Sequence, residues 1–118
     1  MVIFYLRGLL LRFLMILLTD LIYDVCGGVP GNKKIKAVIP GGSSTMWIRG
    51  EELDGVRLDA ESLKSVGTSI GTGGVIVMDE DTDIIKVLTT ISHFYHHESC
   101  GQCTPCREGT GWMETPQP

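Results

Sequence analysis

The sequence predicts an α+β protein, a small mixed domain followed by the beginning of a helical domain. Residues 33–39 and 75–78 predict strands, because both runs are rich in apolar branched residues and lie next to Gly- or Pro-containing turns. From residue 84 to 95 the apolar residues instead recur at helical spacing. Three cysteines follow at two-residue spacing, and they organise the functional interpretation.

The composition of the chain excludes several classes of function. The net charge is −4 and the pI is about 5.2, which argues against a nucleic-acid-binding groove. Four cysteines in 118 residues are too few for a disulfide scaffold, and three of them are clustered. We therefore expect a metal site in a protein of a reducing compartment.

The first 18 residues, MVIFYLRGLLLRFLMILL, are apolar almost throughout and raise the mean hydropathy of the chain to +0.18. Arg7, Gly8 and Arg12 interrupt them, whereas a spanning helix needs about 20 apolar residues. A signal peptide fits poorly as well, because no small-residue cleavage site follows. We predict a helix that packs poorly on the rest, a buried or misassigned end of the chain rather than a membrane anchor.

Residues 19–80 are predicted to form the mixed domain. Thr19 is the expected cap of a short helix with Leu21, Ile22 and Val25 on its apolar face, and Asp59 is the expected cap of a second short helix. The loop PGGSS at residues 40–44 could cradle a phosphate, but no G-x-x-x-x-G-K motif follows. The glycines at residues 71–74 precede a strand instead of following one, which is wrong for a dinucleotide loop. We assign both loops to packing.

Residues 81–118 are predicted to begin a helical domain. Asp81 or Thr82 should cap a long helix, and its apolar stripe should face the core. Phe94 and Tyr95 at its end are predicted to be core residues rather than an electron conduit. The stripe comprises Ile84, Ile85, Leu88, Ile91 and Tyr95.

Cys100, Cys103 and Cys106 form a C-x-x-C-x-x-C motif. Thiolates at this spacing can hold three corners of one inorganic core, as in bacterial ferredoxins, so the motif predicts a [4Fe–4S] site. The residue four positions after Cys106 is Thr110, so the motif supplies no fourth ligand.

The residues between and beside the cysteines suit such a site. Gly101 permits a tight turn against sulfur, and Pro105 suits the first position of a helix beginning at Cys106. That helix N-terminus and the positive charge of Arg107 would both offset thiolate charge.

Other readings of the motif remain open. His93, His96 and His97 lie just upstream, so a zinc site with three cysteines and one histidine is an alternative. We expect His96 and His97 to be exposed or capping residues instead. A redox disulfide fits poorly, because a third cysteine would interfere. Cys26 is predicted to be a small buried side chain rather than the missing ligand.

Three segments together resemble a known family. They are AVIPGGSS (37–44), GTGGVIVMDE (71–80) and ESCGQCTPCREGTGW (98–112), and the likeness extends in order over residues 20–113. They resemble the flavoprotein subunit of respiratory NADH:quinone oxidoreductase, complex I. Related subunits occur in NAD-linked hydrogenases and formate dehydrogenases, so the parent enzyme stays open.

The resemblance implies a ubiquitin-like β-grasp domain of the soluble-ligand-binding type at residues 19–80. Residues 81–118 would then be the truncated start of an α-helical iron–sulfur bundle. It also implies that Cys100, Cys103 and Cys106 bind a [4Fe–4S] cluster whose fourth cysteine lies beyond the present chain. Gly101 and nearby N–H groups would bond to sulfur, and Arg107 would tune the potential.

The function implied is an electron relay within an NADH:quinone oxidoreductase subunit. FMN and NADH would bind only in the full-length parent, in a domain that nothing here matches, so this chain alone is expected to be inactive. The implied partners are a thioredoxin-like [2Fe–2S] subunit and a large iron–sulfur subunit, without nucleic acid and with little case for direct membrane contact. The location implied is peripheral, on the cytoplasmic side of the bacterial inner membrane or the mitochondrial matrix side.

The alternative function is a stand-alone β-grasp binding module with a zinc-stabilised tail. A local fourth ligand, His96 or His97, would distinguish this module from the electron relay.

Overall fold

The computed structural model describes residues 2–5 and 16–115. The chain divides into two compact units, with the boundary between Thr82 and Asp83. The first unit contains a sheet and short helices, and the second contains two helices. An antiparallel sheet combined with helices confirms the predicted α+β class.

Within residues 2–5 and 16–82 the sheet of the first unit has four strands in the order β1-β4-β2-β3, and every neighbouring pair is antiparallel. The predicted strand at residues 75–78 is β4 and is central, with β1 and β2 on its two sides. Val75 and Val77 are completely or almost completely buried, as expected for an apolar strand inside a sheet. The strands are β1 (Val2–Tyr5), β2 (Ile35–Ile39), β3 (Ile48–Arg49) and β4 (Gly74–Asp79).

The helix predicted for residues 1–18 is wrong at residues 2–5, which form β1. Val2 pairs with Val77 and Tyr5 pairs with Gly74, so β1 covers one edge of β4. The reason lies in the edge of β4, which offers unpaired N–H and C=O groups to a run of β-branched and aromatic residues. Residues 6–15 of the same prediction lie outside the described residues.

The first helix also differs from its prediction. The helix α1 is Leu18–Asp20 and continues as a π-helical segment, Leu21–Val25. Thr19 therefore lies inside the helix and does not cap it. Leu18, Leu21 and Ile22 are buried in the core, but Val25 is 46% exposed, because π-helical winding turns it away from the face that sequence spacing assigned to it.

The second short helix agrees with its prediction. The helix α2 is Ala60–Ser65, and the Asp59 carboxylate accepts a hydrogen bond from the Ser62 N–H at 2.8 Å. Leu63 on its inner face is fully buried in the cluster that forms the core of the first unit. That cluster consists of Leu18, Leu21, Ile22, Val29, Val38, Ile48, Leu53, Val56, Leu58, Leu63, Val75 and Val77.

The two glycine loops contact each other. A Cβ on Gly41 would lie 2.4 Å from the Ile70 carbonyl oxygen, and one on Gly71 would lie 2.1 Å from the Gly41 carbonyl oxygen. The Gly42 N–H donates to Gly74 O at 2.7 Å, and the Gly41 N–H donates to the Thr45 hydroxyl at 3.2 Å. These N–H groups bond within the first unit, which agrees with the assignment of the loops to packing.

The second unit consists of α3 (Ile84–Glu98) and α4 (Thr104–Glu114), which pack against each other. The cap of α3 is Asp83, whose carboxylate accepts from Ile85 N–H at 3.0 Å, and not Asp81 or Thr82. Both of those side chains are engaged elsewhere: Asp81 pairs with Lys33, and the Thr82 hydroxyl donates to Asp79 at 2.8 Å. None of the described helices is long and apolar enough to cross a bilayer.

The apolar stripe of α3 is not a core stripe in this structure. Ile85 is 70% exposed, and Leu88, Phe94 and Tyr95 are exposed as well, so the core assignment of Phe94 and Tyr95 is wrong. The buried residues of α3 are Val87 and Ser92. Helical spacing identified the helix correctly but not the direction in which its apolar residues point.

Candidate metal centre

The three cysteines lie where α3 gives way to α4. Cys100 follows Ser99, the residue that ends α3, and Cys103 is the N-cap of α4. Cys106 is in the first turn of α4, which begins at Thr104, two residues before the predicted start. Pro105 is thus the second helical residue, where its missing N–H has no intrahelical partner to lose. All three thiols are exposed.

Gly101 gives the loop its turn. Its φ of +67° lies in the left-handed region, and the space around an added Cβ is open for 4 Å. Glycine is therefore required here by backbone conformation and not by crowding. The Gly101 N–H donates to the Ser99 hydroxyl at 3.2 Å, which closes a small turn before Cys103.

Arg107 reaches back across the loop from α4. Its guanidinium donates to the Gly101 carbonyl oxygen at 3.4 Å and to the Thr104 hydroxyl at 3.2 Å. It also donates to Glu108 at 3.4 Å. A permanent positive charge therefore lies beside the cysteine loop, on the element that carries Cys106.

A cavity of about 400 Å³ opens within the second unit, and two of the three cysteines line it. Cys106, Thr110 and Met113 are spaced by four and three residues, so they share one face of α4. Sequence reasoning missed Thr110 and Met113, although this spacing from Cys106 was available. The lining residues are Ser92, Tyr95, Glu98, Ser99, Cys100, Cys106, Thr110 and Met113.

The cysteines are neighbours but are not gathered round a common point. Cys103 does not line the cavity, and among the residues that the structure describes no three Cys, His, Asp or Glu side chains are arranged to hold a metal ion. The donor chemistry nevertheless fits an iron–sulfur core, because three exposed thiols lie on a glycine-containing loop at a helix N-terminus.

The three histidines of the zinc alternative have other partners. Glu114 accepts hydrogen bonds from His93 and His96, and the His97 ring lies 3.1 Å from a Glu98 oxygen. His96 and His97 are exposed in the last turn of α3, as predicted. Each of these contacts uses only the Nδ1 atom of the ring, and among the described residues no histidine is grouped with the cysteines around one point.

Cys26 belongs to the first unit. It ends the π-helical segment after α1, is partly buried, and packs against the hydrophobic core cluster. Burial raises the pKa of its thiol above the usual value, so the thiol stays protonated at neutral pH. These properties agree with the prediction of a small packed side chain.

Comparison with known proteins first identifies a class. Residues 86–116 match the family described as the NADH-ubiquinone oxidoreductase-F iron–sulfur binding region. The match contains α4, the three cysteines and Arg107. The second unit is therefore similar to the iron–sulfur binding region of NADH-ubiquinone oxidoreductase F subunits.

Similarity to particular proteins extends through both units. The chain is 54% identical over 97 residues to the NADH-quinone oxidoreductase F subunit of Rickettsia bellii (strain OSU 85-389), a match that covers 81% of this chain and 23% of the relative. An F subunit of the same enzyme in Rhizobium meliloti (strain 1021) is 53% identical over 95 residues, 80% of this chain and 22% of the relative. The predicted resemblance to the complex I flavoprotein subunit is confirmed, and the chain spans less than a quarter of the length of these relatives.

The chain is also similar to part of a solved structure. The crystal structure of an NAD⁺-reducing [NiFe]-hydrogenase in the H₂-reduced state matches with a TM-score of 0.60 and 29% sequence identity. The match covers 79% of this chain and 15% of the hydrogenase chain.

Proposed function

We propose that this chain is the iron–sulfur electron-relay part of an NADH:quinone oxidoreductase flavoprotein subunit. The observation that carries the proposal is the placement of three exposed cysteines around the start of α4, inside the region that matches the iron–sulfur family. A [4Fe–4S] cluster bound there would accept and pass on single electrons.

Cys100, Cys103 and Cys106 are the proposed ligands. Cys100 and Cys106 already line one cavity, so the Cys103 side chain has to turn toward it for all three to bind one core. Gly101 keeps the loop tight enough for this, and Arg107 places positive charge beside the thiolates. Neutralising thiolate charge in this way raises the reduction potential of a bound cluster.

The remaining expectations for the parent protein extend the same proposal. FMN and NADH would bind to parts of the parent other than the segment matched here. The partners would be a thioredoxin-like [2Fe–2S] subunit and a large iron–sulfur subunit. The assembly would lie peripherally, on the cytoplasmic side of the bacterial inner membrane or the matrix side of the mitochondrial one.

We also propose that residues 19–80 form a β-grasp domain of the soluble-ligand-binding type and that residues 81–118 begin the iron–sulfur bundle. Support comes from the antiparallel arrangement of β2, β3 and β4 and from α2, which lies between β3 and β4 in the chain and buries Leu63 in the core. An experimental structure in which α2 does not pack on this sheet would contradict the β-grasp assignment.

The test is anaerobic reconstitution of the full chain with iron and sulfide, followed by counting both elements per chain. We expect weak, substoichiometric loading of the wild type, because the loop supplies three thiolates and leaves one iron without a cysteine. Cys103→Ser should abolish loading. Cys26→Ser is the matched control and should leave loading nearly unchanged.

Two results would contradict this assignment. Equal loss of the cluster in Cys26→Ser and Cys103→Ser would make Cys26 the fourth ligand. Purified protein that contains zinc and no acid-labile sulfide would favour the zinc-stabilised module instead.

A further inference from the structure

Glu114, the last residue of α4, lies between two histidines of α3. One carboxylate oxygen is 2.6 Å from His93 Nδ1, and the other is 2.5 Å from His96 Nδ1. An ionised carboxylate only accepts hydrogen bonds, so both imidazoles must carry their hydrogen on Nδ1 and donate it. Two rings one helical turn apart thus occupy both oxygens of a single carboxylate.

This position is unfavourable for a carboxylate when α4 is considered alone. The C-terminal end of a helix carries partial negative charge, which repels an acidic side chain in the last turn. The contact with α3 offsets this repulsion. His96 lies in the last turn of α3, where the helix dipole favours positive charge. The location of Glu114 is therefore explained by its two partners and not by its own helix.

The α4 helix also depends on such contacts. It has eleven residues, with a proline near its start and glycines at positions 109 and 111, and none of its side chains is buried. Isolated helices shorter than about 12–15 residues are marginal in water, and each glycine weakens them further. At the carboxyl end the backbone of Gly111 lies close to His96, since an added Cβ would be 3.5 Å from the ring.

We propose that Glu114 is a positioning residue that tethers the carboxyl end of α4 to α3 through His93 and His96. Fixing that end sets the direction of the whole helix, including the first turn that carries Cys106. The tether does not depend on any bound metal, but its consequence for the cysteines rests on the proposed iron–sulfur function.

The tether should be sensitive to acid. The groups that face one another are Glu114 on α4 and His93 and His96 on α3, with His97 and Glu98 paired at the same end of α3. Hydrogen bonds from His93 and then His96 hold the pKa of Glu114 below its usual value. A carboxylate with a lowered pKa stabilises the fold above its unfolded pKa, about 4.3, and loses that contribution as the pH falls through the lowered value.

The experiment compares the full, metal-free wild-type chain with Glu114→Gln. Gln keeps the size of the side chain but loses its charge. At pH 7 we expect amide hydrogen exchange at residues 109–114 to be roughly three- to fivefold faster in the variant, as for the loss of about one net hydrogen bond. Glu61→Gln removes one negative charge from α2 in the first unit and should leave this exchange unchanged.

Two further readouts separate the tether from a general loss of structure. Histidine ring ¹⁵N spectra of the wild type should show His93 and His96 protonated on Nδ1, and Glu114→Gln should lose this preference. Protection of α4, corrected for intrinsic exchange rates, should fall with acid through the pKa of Glu114 in the wild type but not in Glu114→Gln. Unchanged ring signals, or the same pH profile in both proteins, would overturn the tether.

The link to the cysteines is measured separately by reconstitution. Glu114→Gln should load less cluster than the wild type, whereas Glu61→Gln should load the same amount. Absence of cluster in the wild type would refute the proposed function, while the exchange and ring-nitrogen results would still decide the tether. Equal loading of Glu114→Gln and wild type would overturn the positioning of the cysteines.

Discussion

Substitutions at Gly41 and Gly71 test whether the contact between the two glycine loops stabilises the first unit. A Cβ on Gly41 would meet the Ile70 carbonyl at 2.4 Å, and Gly41 has an ordinary backbone conformation. Gly71 combines a similar clash, at 2.1 Å, with a φ of +48°. Gly55 has a φ of +74° and open space round its Cβ position. The three positions therefore separate steric overlap from backbone strain.

The expected costs follow from these geometries. Overlap with backbone that must move costs about 1–3 kcal/mol, and left-handed backbone costs a non-glycine residue about 1–2 kcal/mol. Replacing glycine also restricts the unfolded chain, which returns about 0.4–1 kcal/mol. We therefore expect destabilisation of about 0–1.6 kcal/mol for Gly55→Ala, about 0–2.6 kcal/mol for Gly41→Ala and about 1–4.6 kcal/mol for Gly71→Ala.

Urea unfolding followed by Trp47 fluorescence measures these costs. The chain has two tryptophans, and Trp112 lies in the second unit, so the variants are made in a Trp112→Phe background that reports only on the first unit. The unfolding free energies are compared at a common m-value. If Gly71→Ala were no less stable than Gly55→Ala, the close contact between the two glycine loops would be refuted.

Three other predictions concern the ends and the interiors of the elements. A chain beginning at Thr19 should lose cooperative unfolding of the first unit by Trp47 fluorescence, because it lacks β1 and the fully buried Leu18; unchanged unfolding would contradict both placements. Asp83→Ala should destabilise α3 by about 1 kcal/mol, as measured by hydrogen exchange, because its carboxylate caps the helix, whereas Thr82→Ala should have less effect on α3; the reverse order would place the cap at Thr82. Gly109→Ala should stabilise α4 by about 0.5–1 kcal/mol, as measured by far-UV circular dichroism during thermal unfolding, because its Cβ position is open and alanine favours helix; a loss of helix would show that α4 is not formed there.

Local patterns predicted the interior of the first unit well. The apolar run at residues 75–78 identified a central strand, since both faces of such a strand are covered. Asp59 was identified as a cap because its side chain acts on backbone only three residues away. Features of this kind are determined within a few residues and need no knowledge of the rest of the chain.

Predictions failed where a distant part of the chain decides the structure. Residues 2–5 are a strand because the edge of β4, more than 65 residues later, accepts them. Asp83 caps α3 instead of Asp81 or Thr82 because those two side chains have other partners. Asp81 pairs with Lys33, and the Thr82 hydroxyl donates to Asp79. The sequence spacing of α3 likewise could not show that Ile85 and Leu88 point outward.

For the candidate site, sequence spacing identified the ligand residues proposed but not the arrangement of their side chains. The C-x-x-C-x-x-C motif led to Cys100, Cys103 and Cys106, yet only two of them line the cavity. Glu114 accepts hydrogen bonds from both His93 and His96 only because α4 runs back along α3, and no local sequence pattern reveals that packing.

The two units hold their structure in different ways, and this bears on metal binding. The first unit has a continuous buried core, whereas α4 packs against α3 without burying any side chain from Thr104 to Glu114. At one end Arg107 bonds to the Gly101 carbonyl, and at the other Glu114 bonds to His93 and His96. Because metal binding stabilises whichever arrangement gathers the ligands, ordering of α4 and capture of a cluster by its first turn should form one coupled equilibrium. Interactions distant from the cysteines therefore contribute to the affinity of the site.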